Sequence, residues 1–411
     1  MINSGDTGFV LIAAALVLLM TPGLAFFYGG MVRRKNVLST LMQCFIIMCI
    51  VGIHWELFGY SLAFGPDAGG GLIGNLDWAG LRSVGMEPNP EYAPTIPHLA
   101  FMIFQAMFAI ITPALIIGAF AERMRFGPFV LFTLLWSVLV YNPVAHWVWG
   151  PDGFLKAAGM LDFAGGTVVH VNAGVASLAA ALFLGRRKGY PHQISPPHNL
   201  PFAVLGAGLL WFGWFGFNAG SALGANGLAG TAAVNTHLAA AVAGLAWSFL
   251  DWLKFGRATM LGMITGAIAG LATVTQGAGY ITPGGALVFG LMGGAVCWCS
   301  VTFAKAKLGY DDSLDAFGVH GVGGMIGAVL TGVLATTAVN AAGGNGLLYG
   351  NPMLLLVQVG GMGATMVFSF AGTLLLFKLV DMVSPMRVTE LDERIGLDLT
   401  LHREAGYTVI D

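Results

Sequence analysis

Apolar runs of about twenty residues recur along the whole 411-residue chain, and no other feature limits its fold as strongly. A helix rising about 1.5 Å per residue needs a run of that length to cross a bilayer core of roughly 30 Å. Composition agrees, since 56% of the residues are hydrophobic and only 9% are charged, far from the balance of a soluble domain. The expectation is an all-α integral membrane protein whose surroundings are lipid, with no nucleic-acid partner.

Eleven spans are expected, beginning near Phe9, Leu38, Pro97, Pro128, Gly165, Leu200, Thr231, Thr259, Gly284, Phe317 and Met353. The segment before Phe9 carries Asp6 and no Lys or Arg, whereas a secretory signal needs a positive start, so the first run reads as a true span. Positive charge marks the cytoplasmic side. Arg33, Arg34, Lys35, Arg123, Arg125, Arg186, Arg187, Lys188, Lys254, Arg257, Lys305 and Lys307 all fall in odd-numbered loops, against Arg82 and Lys156 in the even-numbered ones. The N-terminus is therefore expected outside and the C-terminus in the cytoplasm. The last run, Met353 to Val383, outreaches a bilayer and must tilt or project. Gly65 to Pro97, rich in Gly, Pro and Asn, reads as ordered coil over the outer mouth.

Glycines collect inside the runs, as in Gly262-Met-Ile-Thr-Gly266-Ala-Ile-Ala-Gly270, where spacing by four lines one helix face and lets backbones approach closely. Cys44, Cys49, Cys297 and Cys299 lie inside apolar runs without metal-ligand spacing, so neither a disulfide framework nor a metal or cofactor site is expected.

His170 and His320 stand out because an ionisable side chain at that depth is costly unless it has a partner or a cavity. Taken singly, each reads equally well as a packing histidine. Spans one to five and six to ten, however, superpose as consecutive five-helix units, which must be oppositely oriented because five is odd. The fifth helix of each unit opens with an acid, Asp162 or Asp315, and then carries its histidine. Two histidines so related can meet at a pseudo-twofold axis. The organisation expected is a transmembrane domain over 1–383, comprising a first half at 1–185, an inverted second half at 200–338 and an eleventh helix at 352–383, followed by a cytoplasmic tail at 384–411.

Candidate lining residues are Phe104, Phe108, Trp149, Trp214, Phe217 and Ser221. Aromatic faces beside a hydroxyl suit a small cation, while apolar walls oppose passage of an intact ion. That combination favours a substrate able to shed a proton.

Five stretches carry a resemblance: Thr21-Pro-Gly-Leu-Ala-Phe-Phe-Tyr-Gly-Gly30, Gly118-Ala-Phe-Ala-Glu-Arg123, Asp162-Phe-Ala-Gly-Gly-Thr-Val-Val-His170, Gly213-Trp-Phe-Gly-Phe-Asn-Ala-Gly-Ser221 and Asp315-Ala-Phe-Gly-Val-His-Gly321. Together the chain resembles the Amt/MEP ammonium transporters over nearly its whole length. The resemblance implies a homotrimer in the plasma or inner membrane with one pore per subunit. It implies a transporter of ammonium and methylammonium serving nitrogen assimilation, with neither cofactor nor enzymatic activity expected. It also implies a recruitment site at Phe108, Trp149 and Ser221, with Asp162 as its structural acid. A gate at Phe108 and Phe217, a twin pair at His170 and His320, and pore-wall positions at Phe104, Trp214 and Thr275 follow in the same way. Competing readings are an ammonium receptor of the same fold and an electroneutral gas channel of the Rh type. No signalling module follows the tail, which favours transport, and the complete aromatic set speaks against the gas channel.

Three departures from the family pattern stand apart. His54 and Glu56 in the second span replace apolar residues and read as a paired structural cluster or a second ionisable path. His237 reads as helix packing. The tail residues Gly396, Asp398, His402, Arg403, Glu404 and Tyr407 resemble a regulatory tail that docks a PII-type regulator, but Arg403 stands where the pattern has glycine. Any backbone there needing positive φ would be strained.

Overall fold

The computed structural model describes residues 1–192 and 196–407. Among them, all regular structure beyond three isolated bridges is helical. Ten of the helices are long and apolar enough to cross a membrane: α1 (Ser4–Met31), α2 (Arg34–Phe64), α3 (His98–Phe120), α4 (Phe126–Ala157), α5 (Gly166–Leu184), α6 (Leu200–Ala219), α7 (Gly227–Phe255), α9 (Pro283–Leu308), α10 (Phe317–Leu334) and α11 (Pro352–Val383). The span expected near Thr259 is α8 (Met260–Val274), a shorter apolar helix of 15 residues. The chain is a multi-pass membrane protein.

Local chemistry fixes the helix starts. Asn3, Asn226, Thr259, Thr282 and Asn351 each accept backbone N–H groups from the first turn of the helix that follows, and Pro283 and Pro352 occupy the first helical positions. Mutual packing holds the spans together. The glycine face of α8 seats on α7, where a Cβ on Gly266 or Gly270 would press on Trp247, Ala243 and Ala239. The close approach expected from that spacing is present.

The crossing of α5 and α10 positions everything else. A Cβ on Gly174 would collide with the backbone of Gly321, and one on Gly324 would strike the backbone of Gly166 and Val171. Each glycine lies four residues beyond a histidine of its own helix. Bare backbone at both places lets the two helices touch there. Helix α11 then packs across both. Gln358 of α11 receives the Leu161 N–H at 3.0 Å and donates to the Leu161 carbonyl at 2.8 Å, and Ser369 donates to the Asn172 carbonyl at 2.8 Å.

Of the expected tail at 384–411, residues 408–411 lie outside the described residues. The rest binds the loops at one end of the bundle, here the tail end. Backbone bonds join Arg125 N–H to the Met386 carbonyl at 2.8 Å and Val388 N–H to the Arg123 carbonyl at 3.0 Å. A short helix, α12 (Glu390–Ile395), opens with a reciprocal cap between Thr389 and Asp392. The opposite end, the loop end, carries residues 65–97, where Trp78 stacks on Tyr60 at 5.7 Å.

Candidate functional site

The site begins at the N-terminus of α5. Asp162 is buried, and its two oxygens accept N–H groups from Gly165, Gly166, Thr167 and Val168 at 2.7 to 3.0 Å. A carboxylate is the group that can satisfy four orphan donors at a helix start, and its charge suits the positive end of the helix dipole. It also turns the first turn so that His170, eight positions on, faces inward.

In the second half the same job falls to a residue that the sequence reading passed over. Asp312 accepts from Ala316 N–H at 3.1 Å and Phe317 N–H at 2.8 Å, and it too lies eight positions before its histidine, His320. Asp315, expected to be the counterpart of Asp162, instead pairs with Lys305 at 2.7 Å and holds a left-handed φ of 61°. The expectation failed because it matched the nearest acid rather than the equal spacing.

His170 and His320 meet at the crossing. Their ring centroids are 5.2 Å apart with planes inclined by 14°. Both are buried, and among the described residues neither nitrogen of His170 nor Nδ1 of His320 has a hydrogen-bond partner. A file of rings extends from His170 toward the loop end. Phe217 and Trp214 lie 5.9 and 5.3 Å from it, Phe108 lies 4.4 Å beyond Phe217, and Trp149 5.8 Å beyond Phe108. Phe104 packs on Phe108 at 5.0 Å. Hydrogen bonds fix the indoles: Trp214 donates to Thr275 Oγ1 at 2.8 Å, and Trp149 donates to the Asp162 carbonyl at 3.0 Å.

A cavity of about 140 Å³ caps the file at the loop end, lined by Phe108, Trp149 and Ser221 among others. Ser221 donates its proton to the Phe217 carbonyl at 2.8 Å, which leaves its lone pairs as acceptors. Gln105 also lines this cavity, with a buried Oε1 that has no partner among the described residues. Polarity inside an apolar helix, one position from Phe104, was the available signal for it. Beyond His320, toward the tail end, a second cavity of about 240 Å³ is lined by Tyr28, Asp251, Asp315 and His320 among others.

The tail residues cluster apart from this file. Asp398 accepts the Ser39 N–H at 2.8 Å at the start of α2, and burial pushes its carboxyl above the usual range. His402 stacks edge-on against Phe126 at 5.1 Å, and burial lowers its pKa. A Cβ on Gly396 would collide with Lys35, the Glu404 N–H donates to the Asp398 carbonyl at 3.2 Å, and the Tyr407 hydroxyl meets His198 Nε2 at 2.9 Å. Arg403 adopts a φ of 56°, the strained backbone expected of a residue in a glycine position. Nearby, Glu122 is buried between Arg33 at 3.0 Å and Arg187 at 3.2 Å. Burial alone would raise its carboxyl, yet the two guanidiniums outweigh that and hold it below the usual glutamate range.

The expected pairing of His54 with Glu56 is not there. His54 is buried with Nε2 3.3 Å from Asn142 Nδ2, whereas Glu56 is exposed on another face, and no ion pair joins them among the described residues. Their spacing of two on a helix cannot bring them together. His237 packs beside Trp211 at 5.5 Å, as expected of a packing residue.

The sequence pattern of the Ammonium Transporter Family matches residues 8–407. The chain is 53% identical to the ammonium transporter of Bacillus subtilis over 403 residues, covering 98% of each. It superposes on the crystal structure of Saccharomyces cerevisiae Mep2 with a TM-score of 0.89 at 36% identity, covering 94% of this chain and 88% of that one. A structure titled Sensor Amt Protein matches with a TM-score of 0.88 at 31% identity, covering 96% and 97%.

Proposed function

The chain belongs to the ammonium transporter family, and on that premise we propose that it recruits ammonium from outside the cell, strips its proton and conducts ammonia, with the proton passing separately through the histidine pair. The observation that carries this reading is the unbroken file of Trp149, Phe108, Phe217, His170 and His320 between one cavity and the other. Magnitudes favour the split. Moving a bare ammonium-sized charge into an apolar interior costs on the order of 20 kcal/mol in the Born limit, whereas a desolvated cation–π contact returns about 2 kcal/mol. Neutral ammonia avoids the larger cost.

In this reading the loop end is extracellular and eleven helices, counting α8, cross the plasma membrane, two inverted five-helix units being followed by α11. The matching Asp162–His170 and Asp312–His320 spacings support the repeat. Ammonium rests against Trp149 and Phe108 and donates to Ser221. Phe108 and Phe217 exclude water, and Phe104, Trp214 and Thr275 hold the wall. The adjacent imidazoles accept and pass one proton at a time, since a second positive charge beside the first is disfavoured. Ammonia regains a proton in the cavity beyond His320, and one positive charge crosses per molecule. Three copies assemble as a trimer, and the tail at 384–411 receives a PII-type regulator.

Likeness to the Sensor Amt Protein supports a second reading, an ammonium sensor. Proteoliposomes separate the possibilities. Transport with proton relay gives an ammonium-driven current, a sensor gives no flux, and a gas channel gives flux without current.

A further inference from the structure

We propose that Lys156 and Glu91 set the affinity of the outer cation pocket by acting on it with opposite charges, an inference that rests on the recruitment reading above. Both side chains line the 140 Å³ cavity that Trp149, Phe108 and Ser221 enclose. Lys156 follows the interruption of α4 at Gly150, and its Nζ donates to the Trp149 carbonyl at 3.1 Å. That carbonyl belongs to the last turn of the helix, where the chain leaves acceptors without helical partners. A tethered primary ammonium thus occupies an acceptor on the wall of a pocket suited to a free one. Its chemistry is that of the substrate, and its charge opposes the arrival of another cation.

Glu91 comes from the long 65–97 loop. The loop is anchored there, because the Glu91 N–H donates to Asn89 Oδ1 at 3.0 Å and the neighbouring Tyr92 hydroxyl donates to the Phe64 carbonyl at 2.5 Å. Phe64 in turn stacks on Trp149 at 6.4 Å. The backbone that carries the Glu91 carboxylate is therefore held at the rim, while the side chain itself is exposed. Among the described residues no ion pair joins Glu91 to Lys156, so each acts on the pocket through space. Asp152, the other acid near Lys156, is exposed and does not line the pocket. Attraction from Glu91 opposes repulsion from Lys156. Affinity is then tuned by the balance, and each half of it is screened by salt.

The competing view is that Lys156 merely caps the end of a helix segment, as lysines commonly do. A cap changes stability and leaves the salt dependence of substrate capture alone. The test measures ammonium-driven current of the full chain in proteoliposomes at about 10 mM and about 150 mM ionic strength, where the screening length changes severalfold. Lys156→Gln is expected to lower the half-saturating ammonium concentration about threefold at low salt, the effect of one unit charge at roughly 6 Å in water, and less at high salt. Lys156→Arg keeps the parent value, Glu91→Gln raises it by a similar factor, and the double variant moves back toward the parent. Should Lys156→Gln leave half-saturation unchanged at both salts, or alter only the maximal current, while Trp149→Leu raises half-saturation, the rim charges do not tune capture and the recruitment reading stands. If Trp149→Leu also leaves it unchanged, the recruitment reading falls and the rim proposal with it.

Discussion

His170 and His320, 150 positions apart in the chain, lie with ring centroids 5.2 Å apart and planes 14° from parallel. Burying polar nitrogens without partners costs about 1 to 3 kcal/mol each, a burden that a purely packing role would not justify. Replacing both with alanine is expected to abolish or sharply reduce the ammonium-driven current in proteoliposomes. Full current with unchanged selectivity against potassium would reduce the pair to pore lining.

Capture depends on the Trp149 ring, which stands 5.8 Å from Phe108 at an interplanar angle of 86°. A cation–π contact of about 1 kcal/mol corresponds to about a fivefold change in affinity. Trp149→Leu should therefore raise the ammonium concentration for half-maximal uptake by roughly that factor. An unchanged value rules out the recruitment assignment.

Asp162 satisfies four backbone donors with two charged oxygens, and an asparagine offers one acceptor oxygen in their place. Losing about two charge-assisted bonds should destabilise the protein by about 3 kcal/mol. Asp162→Asn is expected to lower the unfolding temperature in detergent well below that of a conservative change at an exposed position such as Asp152→Asn. Equal thermal stability would show that the cap contributes little.

Arg403 holds a φ of 56°, which costs a residue with a Cβ about 1 kcal/mol relative to glycine. Arg403→Gly should tighten the docked tail by that amount and slow its proteolysis in inside-out vesicles, while altering transport or PII binding. Proteolysis at the parent rate, with both activities unchanged, would mean that the departure from the family pattern is silent.

Glu122 contributes to the pH dependence of the tail end, as does Asp311, whose carboxyl, despite burial, is also lowered by its arginine partners. The folded pKa of Glu122 lies below the ordinary glutamate value, so the stabilisation is fully present above about pH 4.3 and is lost as the pH falls through the lower folded value. Glu122→Gln removes this charge and leaves Arg33 without its carboxylate, while Arg187 keeps Asp311, at a cost of about 3 kcal/mol. Acid unfolding monitored by tryptophan fluorescence should therefore flatten in the variant over that window. A parental profile would place the acid sensitivity elsewhere.

Much of this was written locally. Apolar run length placed the long helices to within a few residues, and the meeting of His170 with His320 was suggested by their matching positions in the fifth and tenth apolar runs. The rings from Trp149 to Phe217 were legible as motifs. Which acid caps α10 was legible only in the equal spacing of acid and histidine, Asp162 to His170 and Asp312 to His320, and not in the nearness of Asp315. The separation of His54 from Glu56 was legible too, since the helical period alone forbids their contact.

Sequence by itself determined where the long apolar helices lie, since that rests on the free energy of transferring each run, a property of neighbours along the chain. Only the tertiary structure decided that Gln105, Glu91 and Lys156 share one cavity with Trp149, and that bare backbone at Gly174 and Gly321 brings two imidazoles together. Most of those relationships join residues from about a dozen to about 150 positions apart. They are set by shape and charge at helix crossings, which leave no periodic trace in any one segment.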